Sequence, residues 1–201
     1  MTNKILEEKV RKLEDELREI KSELKGEKFR SLEIGDTFEL AGLTWKMLDR
    51  TDKGIVCLAE RIKDSFNFGT NNDWKESSIR KYLNKEFYEK LVDEIGEDHV
   101  VAFERVLTSL DGQKEYGSCE DKVSIIGLDE YRKYRELIPN EKYWWWTLTP
   151  DSTKCNNDTS WVRIVSPSGY FSSNYSNGSG GVRPFCIFSS PLFESCEEDD
   201  D

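Results

Sequence analysis

The chain has 201 residues, a net charge of −11 and a pI of about 4.8, with 36% hydrophobic and 34% charged residues. That length suits one domain plus an appendage, since domains most often run to roughly 100–150 residues. The acidic balance argues against nucleic acid and against anionic membrane, whose phosphates require a basic footprint. No run approaches the ~20 apolar residues of a membrane span, so no membrane insertion is expected. Met1-Thr2-Asn3-Lys4 leads into charged helix rather than an apolar signal region, which predicts no signal peptide and a cytoplasmic or virion-associated chain.

Residues 3–25 carry a heptad pattern: Leu6, Val10, Leu13, Leu17, Ile20 and Leu24 recur at spacings of four and three. Val10, Leu17 and Leu24 take the a positions and Leu6, Leu13 and Ile20 the d positions of a coiled-coil seam. In a parallel arrangement the flanking pairs are Lys9 with Glu14 and Glu16 with Lys21, both opposite in sign, so a parallel homo-oligomer is expected, with a slight preference for a trimer. A solitary amphipathic helix on the domain is the alternative. Gly26 is expected to end this helix. The organisation predicted is a coiled-coil helix over 1–26, a ligand-binding domain over 27–196 and an acidic tail over 197–201.

Phe38, Leu40, Trp45 and Met47 alternate around Ala41-Gly42, the pattern of a β-hairpin. Gly54–Ala59 is nearly all apolar and reads as a central strand. Residues 66–73 read as a turn-rich loop. Ser77 or Ser78 then caps a helix carrying Ile79, Tyr82, Leu83, Phe87, Leu91 and Ile95, which Gly96 stops. Val100–Leu107 reads as a short strand or extended arm, and residues 128–135 as a second helix closed by Pro139. The order predicts an α+β fold, two helices against small antiparallel sheets.

Little points to catalysis. His99 is the sole imidazole and no nucleophile motif surrounds it. The five cysteines, at 57, 119, 155, 186 and 196, are scattered without a C-x-x-C pair, so they read as free or buried thiols rather than a zinc site. Gly178-Ser179-Gly180-Gly181 lacks the Lys-Ser/Thr of a phosphate loop and reads as a turn. No cofactor and no metal are expected, and an enzyme with a shallow cleft, or a purely structural particle protein, is kept as the alternative.

The informative stretch is Tyr143–Phe188. Short apolar strands alternate there with long runs of Ser, Asn, Asp and Tyr, the residues that contact loops use for broad, adaptable recognition. In a strand, Trp144 and Trp146 share one face and Trp145 the other, which leaves Trp146 open to either a core or a contact role.

The chain resembles the C-type-lectin-fold variable proteins of diversity-generating retroelements in phages and bacteria. The likeness rests on Leu40-Ala41-Gly42-Leu43-Thr44-Trp45, Asn71-Asn72-Asp73-Trp74, Ser77–Asn84, Phe103–Gly112, Asp129–Tyr134, Trp144-Trp145-Trp146, Thr149–Lys154 and Gly181–Phe188. It implies a C-type lectin-like fold after the coiled coil, and a binding surface rewritten by adenine-directed copying while the strands stay fixed. Carried over, the ligand-binding candidates are Trp146, Thr147, Thr149, Asp151, Asn156, Asn157, Asp158, Ser160, Tyr170, Ser172, Asn174, Tyr175, Ser176, Asn177 and Ser179. The implied frame is Trp161, Val162, Ile164, Val165 and Gly181–Phe185. The implied ligand is a protein or glycan on a target cell, met by a receptor-recognition protein. The formylglycine-generating enzymes share this fold class, but their reactive cysteine pair has no counterpart here.

Overall fold

The computed structural model describes residues 2–193. Cys196, the acidic tail and the Leu24 side chain lie outside what it describes. Helix α1 (Thr2–Phe29) runs the length of the heptad segment, and Gly26 does not stop it. A glycine inside a helix costs about 1 kcal/mol. Burial of Phe29 one turn later offsets that, at ~1.5–3 kcal/mol for a large apolar side chain. Its ring stacks on Phe193 at 5.3 Å and meets Phe38 at 4.7 Å. Phe29 falls at heptad position f, on the far side of the helix from the seam. One flank of α1 therefore docks on the head and the other carries Leu6, Val10, Leu13, Leu17 and Ile20 into solvent, each 51–63% exposed.

The strands follow as β1 (Thr37–Leu40), β2 (Leu43–Thr51), β3 (Gly54–Ala59) and β4 (Ile62–Asn67). The first two turn through Ala41 (φ 52°) and Gly42 (φ 73°), the positive-φ pair that matches the twist of a tight hairpin. Strand β4 has no apolar alternation to announce it and replaces the front of the expected loop. Ser77 caps α2 (Ser78–Tyr82), its Oγ accepting from the Arg80 amide at 3.0 Å. A π turn over Leu83–Phe87 joins it to α3 (Tyr88–Ile95), which Gly96 ends at φ 80°. Ile79, Leu83, Phe87, Leu91 and Ile95 are spaced by four throughout, and all are buried. A regular α-helix of 3.6 residues per turn would carry such a row progressively off the core face, and the wider turn brings it back.

Then come β5 (Val100–Val101), β6 (Phe103–Val106), β7 (Ser118–Asp121), β8 (Ser124–Ile125), α4 (Leu128–Lys133), β9 (Trp145–Pro150), β10 (Trp161–Val165), β11 (Phe171–Tyr175), β12 (Ser179–Val182) and β13 (Pro184–Phe188). Among the described residues they form three small sheets. One has the order β1-β2-β3-β13-β5 with β8 on β13, one the order β11-β10-β9-β12-β4, and β6 pairs with β7 alone. The architecture is mixed α+β. The central place of β3 agrees with its unbroken apolar run, because both its faces are covered.

The second sheet separates two cores. Trp146, Leu148, Val162 and Ile164 face the larger one, with Trp45, Phe68 and Phe188. Trp145 and Val165 face the smaller, where Tyr131 of α4 packs edge-on against Trp145 at 5.6 Å. Gly180 lets the Trp146 indole lie against the backbone, since a Cβ there would sit 2.8 Å from Nε1. Gly178 closes a turn on the Tyr175 carbonyl, and Ser179-Gly180-Gly181 is close-packed strand. No helix among the described residues is long and apolar enough to cross a membrane.

Candidate functional site

The loop between β9 and β10 and the turn that links β11 to β12 meet at one end of the second sheet. The Ser176 amide donates to the Ser160 carbonyl at 2.7 Å, and the Gly69 amide to the Ser176 carbonyl at 3.0 Å. Asn67 Nδ2 donates to the Asn177 carbonyl at 2.7 Å, and the Ser65 and Ser179 hydroxyls share a hydrogen bond of 2.5 Å. The result is a polar rim on which Asn156, Asn157, Ser160, Tyr175, Asn177 and Ser179 are exposed and Asp158 half-buried. Tyr175 lies over Trp161 with ring centroids 3.9 Å apart and is still 53% exposed.

The loop backbone is fixed from beneath by one side chain, Asn72. It is fully buried, and its Nδ2 donates to the carbonyls of Ser152 (3.1 Å), Asp158 (3.4 Å) and Trp161 (3.1 Å). Its Oδ1 accepts from the Tyr116 hydroxyl at 2.6 Å, and the burial that makes this bond dry pushes the phenol up to about 12. From the other side Asp111 Oδ2 accepts from Ser152 Oγ (2.6 Å) and Asn156 Nδ2 (2.9 Å). Hydrogen bonds from Ser109 and Ser152 hold the Asp111 carboxyl below its ordinary range. Asn157 takes the left-handed conformation (φ 55°) that lets the chain turn back, which asparagine tolerates better than most residues.

Not every expected contact residue belongs to this rim. Trp146, Thr147, Thr149 and Ser176 are buried, which removes them from a surface that a partner can touch. Each has an internal role instead. Trp146 Nε1 donates to the Phe66 carbonyl (2.8 Å), Thr147 Oγ1 to the Arg163 carbonyl (2.9 Å), and Thr149 Oγ1 accepts from the Leu128 amide (3.1 Å). Thr147 and Thr149 look like loop by composition, but β9 has cores on both sides and buries every side chain it has. Tyr170 is 57% exposed, but at the far end of β11 from Tyr175, about 16 Å away at the rise of an extended strand. Ser172 and Asn174 are half-buried on the face of β11 opposite Tyr175, as the period of two requires.

The rest of the Tyr175 face carries residues that polar-loop reasoning passed over. Arg163 Nη1 donates to Ser173 Oγ at 2.6 Å, and Ser173 Oγ to Asp151 Oδ2 at 2.6 Å. Asp151 Oδ1 lies 3.5 Å from the same guanidinium. Alternation along β10 was the available signal, because Trp161 and Arg163 interleave with the core residues Val162 and Ile164.

The arrangement offers hydrogen-bonding groups, one ion-paired triad and an aromatic platform. His99 sits elsewhere, half-buried, with Nδ1 2.7 Å from Ser189 Oγ. Cys57 and Cys186 are buried cross-strand neighbours, and burial pushes both thiols well up. Among the described residues no group of three or more His, Cys, Asp or Glu is placed to hold a metal ion.

A family model described as a domain of unknown function (DUF6273) matches residues 97–190. Those residues include β5 to β13 and both rim loops, but neither α1 nor Asn72. No curated protein and no solved structure matches the chain.

Proposed function

We propose that the chain is a recognition protein that binds a protein or glycan ligand on a target cell through this rim, on a C-type lectin-like scaffold. The rim residues are Asn156, Asn157, Asp158, Ser160, Tyr175, Asn177 and Ser179, with Trp161, Arg163 and Ser173 continuing the surface. The observation that carries the reading is the division between side chains and backbone. Rim side chains such as Tyr175 and Asn177 are exposed, while the buried Asn72 amide and the Asp111 carboxylate hold the chain beneath them. A surface so held can exchange side chains without losing its shape, as a variable protein of a phage or bacterial diversity-generating retroelement must. The exposed seam of α1 supports display as a parallel homo-oligomer through residues 3–25, and several copies raise the avidity of a weak single site. The reading implies a cytoplasmic or virion-associated protein that performs no catalysis.

The test is a combinatorial library. Free variation at Ser160, Tyr175, Asn177 and Ser179 should leave folding intact, with each exposed change inside about 0.5 kcal/mol, and should yield clones that differ in what they bind. The same variation at Thr147 and Ser176 should abolish soluble expression. The reading fails if rim variants unfold as readily as the buried ones. In the flanking DNA, a near-copy of the region encoding residues 145–185, differing at adenines, is the genetic counterpart of this result.

A further inference from the structure

Two inner strands of the six-stranded sheet each carry a cysteine, and the two stand face to face. In the antiparallel pairing of β3 with β13, Cys57 is directly opposite Cys186, between the pairs Leu58–Phe185 and Val56–Ile187. Directly opposed residues on such strands lie about 4.5–5.5 Å apart at Cα, inside the ~4.4–6.8 Å that a disulfide spans. Side chains alternate across a sheet, so the two sulfurs project to one face. Both enter the larger core, fully buried, whereas the flanking pairs enter the smaller one. Joining two thiols removes two hydrogens and adds nothing, so the core has no new volume to accommodate. The other described cysteines are not so placed: Cys119 opposes Arg105 on the β6–β7 ribbon, and Cys155 lies exposed in the loop between β9 and β10.

We infer that Cys57 and Cys186 are a redox pair that closes to a disulfide when the chain folds in an oxidising milieu, fastening β13 to β3. The oxidant is a low-molecular-weight disulfide. The Cys186 thiolate attacks one of its sulfurs, forms a mixed disulfide and releases one small thiol. As β13 comes alongside β3, the Cys57 thiolate attacks the Cys186 sulfur and releases the second. Two protein thiols are oxidised to one disulfide, and the small disulfide is reduced to two thiols that take up both protons.

The order of events follows from burial. In the closed sheet both sulfurs are out of reach of an oxidant, and desolvation pushes both thiols well up, away from the reactive thiolate. The bond therefore forms while β13 docks or reopens, and once formed it is shielded from reductants in the same way. It closes the chain from β3 to β13 into one loop that contains both rim loops, and β12 runs almost directly into β13. A link across so long a segment restrains the unfolded chain more than a short one does. In a reducing cytoplasm the pair stays as two thiols. The inference concerns the scaffold and does not rest on what the rim binds.

The experiment uses the full chain with Cys119→Ser, Cys155→Ser and Cys196→Ser, so that only the pair remains. It is refolded from denaturant with oxidised plus reduced glutathione, and in parallel with reduced glutathione alone. Peptide mapping without reduction should show the peptides of Cys57 and Cys186 joined in the first sample and alkylatable in the second, with the same far-ultraviolet circular dichroism. The joined form should have the higher denaturant midpoint, and a reductant added in denaturant should abolish the difference. Two free thiols, or two glutathione adducts, in a natively folded oxidised sample overturn the inference, as does a joined form no more stable than the reduced one. If the serine-substituted chain does not refold, the unsubstituted chain is produced in an oxidising compartment and mapped without unfolding. The joined pair is again expected there, and any other pairing of the two, or none, overturns the inference.

Discussion

The α1 seam and the core of the head are built from the same residue types with opposite outcomes. Leu13 and Leu17 are 63% and 51% exposed, while Leu83 and Leu91 are fully buried. A single chain thus satisfies the apolar pattern of its head and leaves that of its helix open. The difference teaches that hydrophobic periodicity specifies a face and says nothing about what covers it. In the head the cover comes from strands far away in sequence, whereas on α1 nothing within the described chain supplies it.

That contrast can be pressed at several points. Trp45→Ala removes a fully buried ring whose Nε1 donates to the Leu40 carbonyl at 3.0 Å, and should cost the head about 3–5 kcal/mol in a denaturant titration. Asn72→Ala should cost about 2–3 kcal/mol, because it strands the Tyr116 hydroxyl and buried carbonyls together. Its amide-exchange signature should centre on residues 152–161 and spare α1.

Acid should act next in size. The carboxyls of Asp111 and Asp49 are held below their usual range, the first by Ser109 and Ser152 and the second mainly by Lys133. A group depressed in the folded state contributes stability above its unfolded value, about 3.9 for aspartate, and loses it as pH falls through the folded value. Protection of the 152–156 segment should therefore decline below about pH 4, before the six-stranded sheet opens.

The smallest effect on the head should come from Leu13→Glu combined with Leu17→Glu. Head stability should move by less than about 0.5 kcal/mol, while light scattering reports a fall to the monomer mass. If the head melts early, or the mass does not change, the seam is not a separate, self-associating face.

The sequence made the helix seam, the Ala41-Gly42 hairpin and the Ser77 cap legible, since each is announced within a few residues. It misled at Gly26, where a helix breaker is outweighed by Phe29, three residues on, docking against Phe38 and the sequence-distant Phe193. The candidate rim was legible in part. Polar composition found Asn156, Asn157, Tyr175 and Asn177 but could not separate them from Thr147 or Ser176, whose burial depends on layers contributed by other segments. Asn72 was invisible as a structural hub, because nothing in a run of turn residues marks the one that points inward. Arg163 and Ser173 follow from strand alternation, as cross-strand partners on the face opposite Val162 and Ile164.

The place of β13 has a consequence for biosynthesis. It lies between β3 and β5 and also pairs with β8, yet it is made after all of them. Until residues 184–188 leave the ribosome, β3 has an apolar flank with unpaired backbone groups, the kind of edge that invites wrong partners. Translation speed through the codons for residues 184–188, and chaperone cover until they emerge, thus bear directly on the yield of native protein.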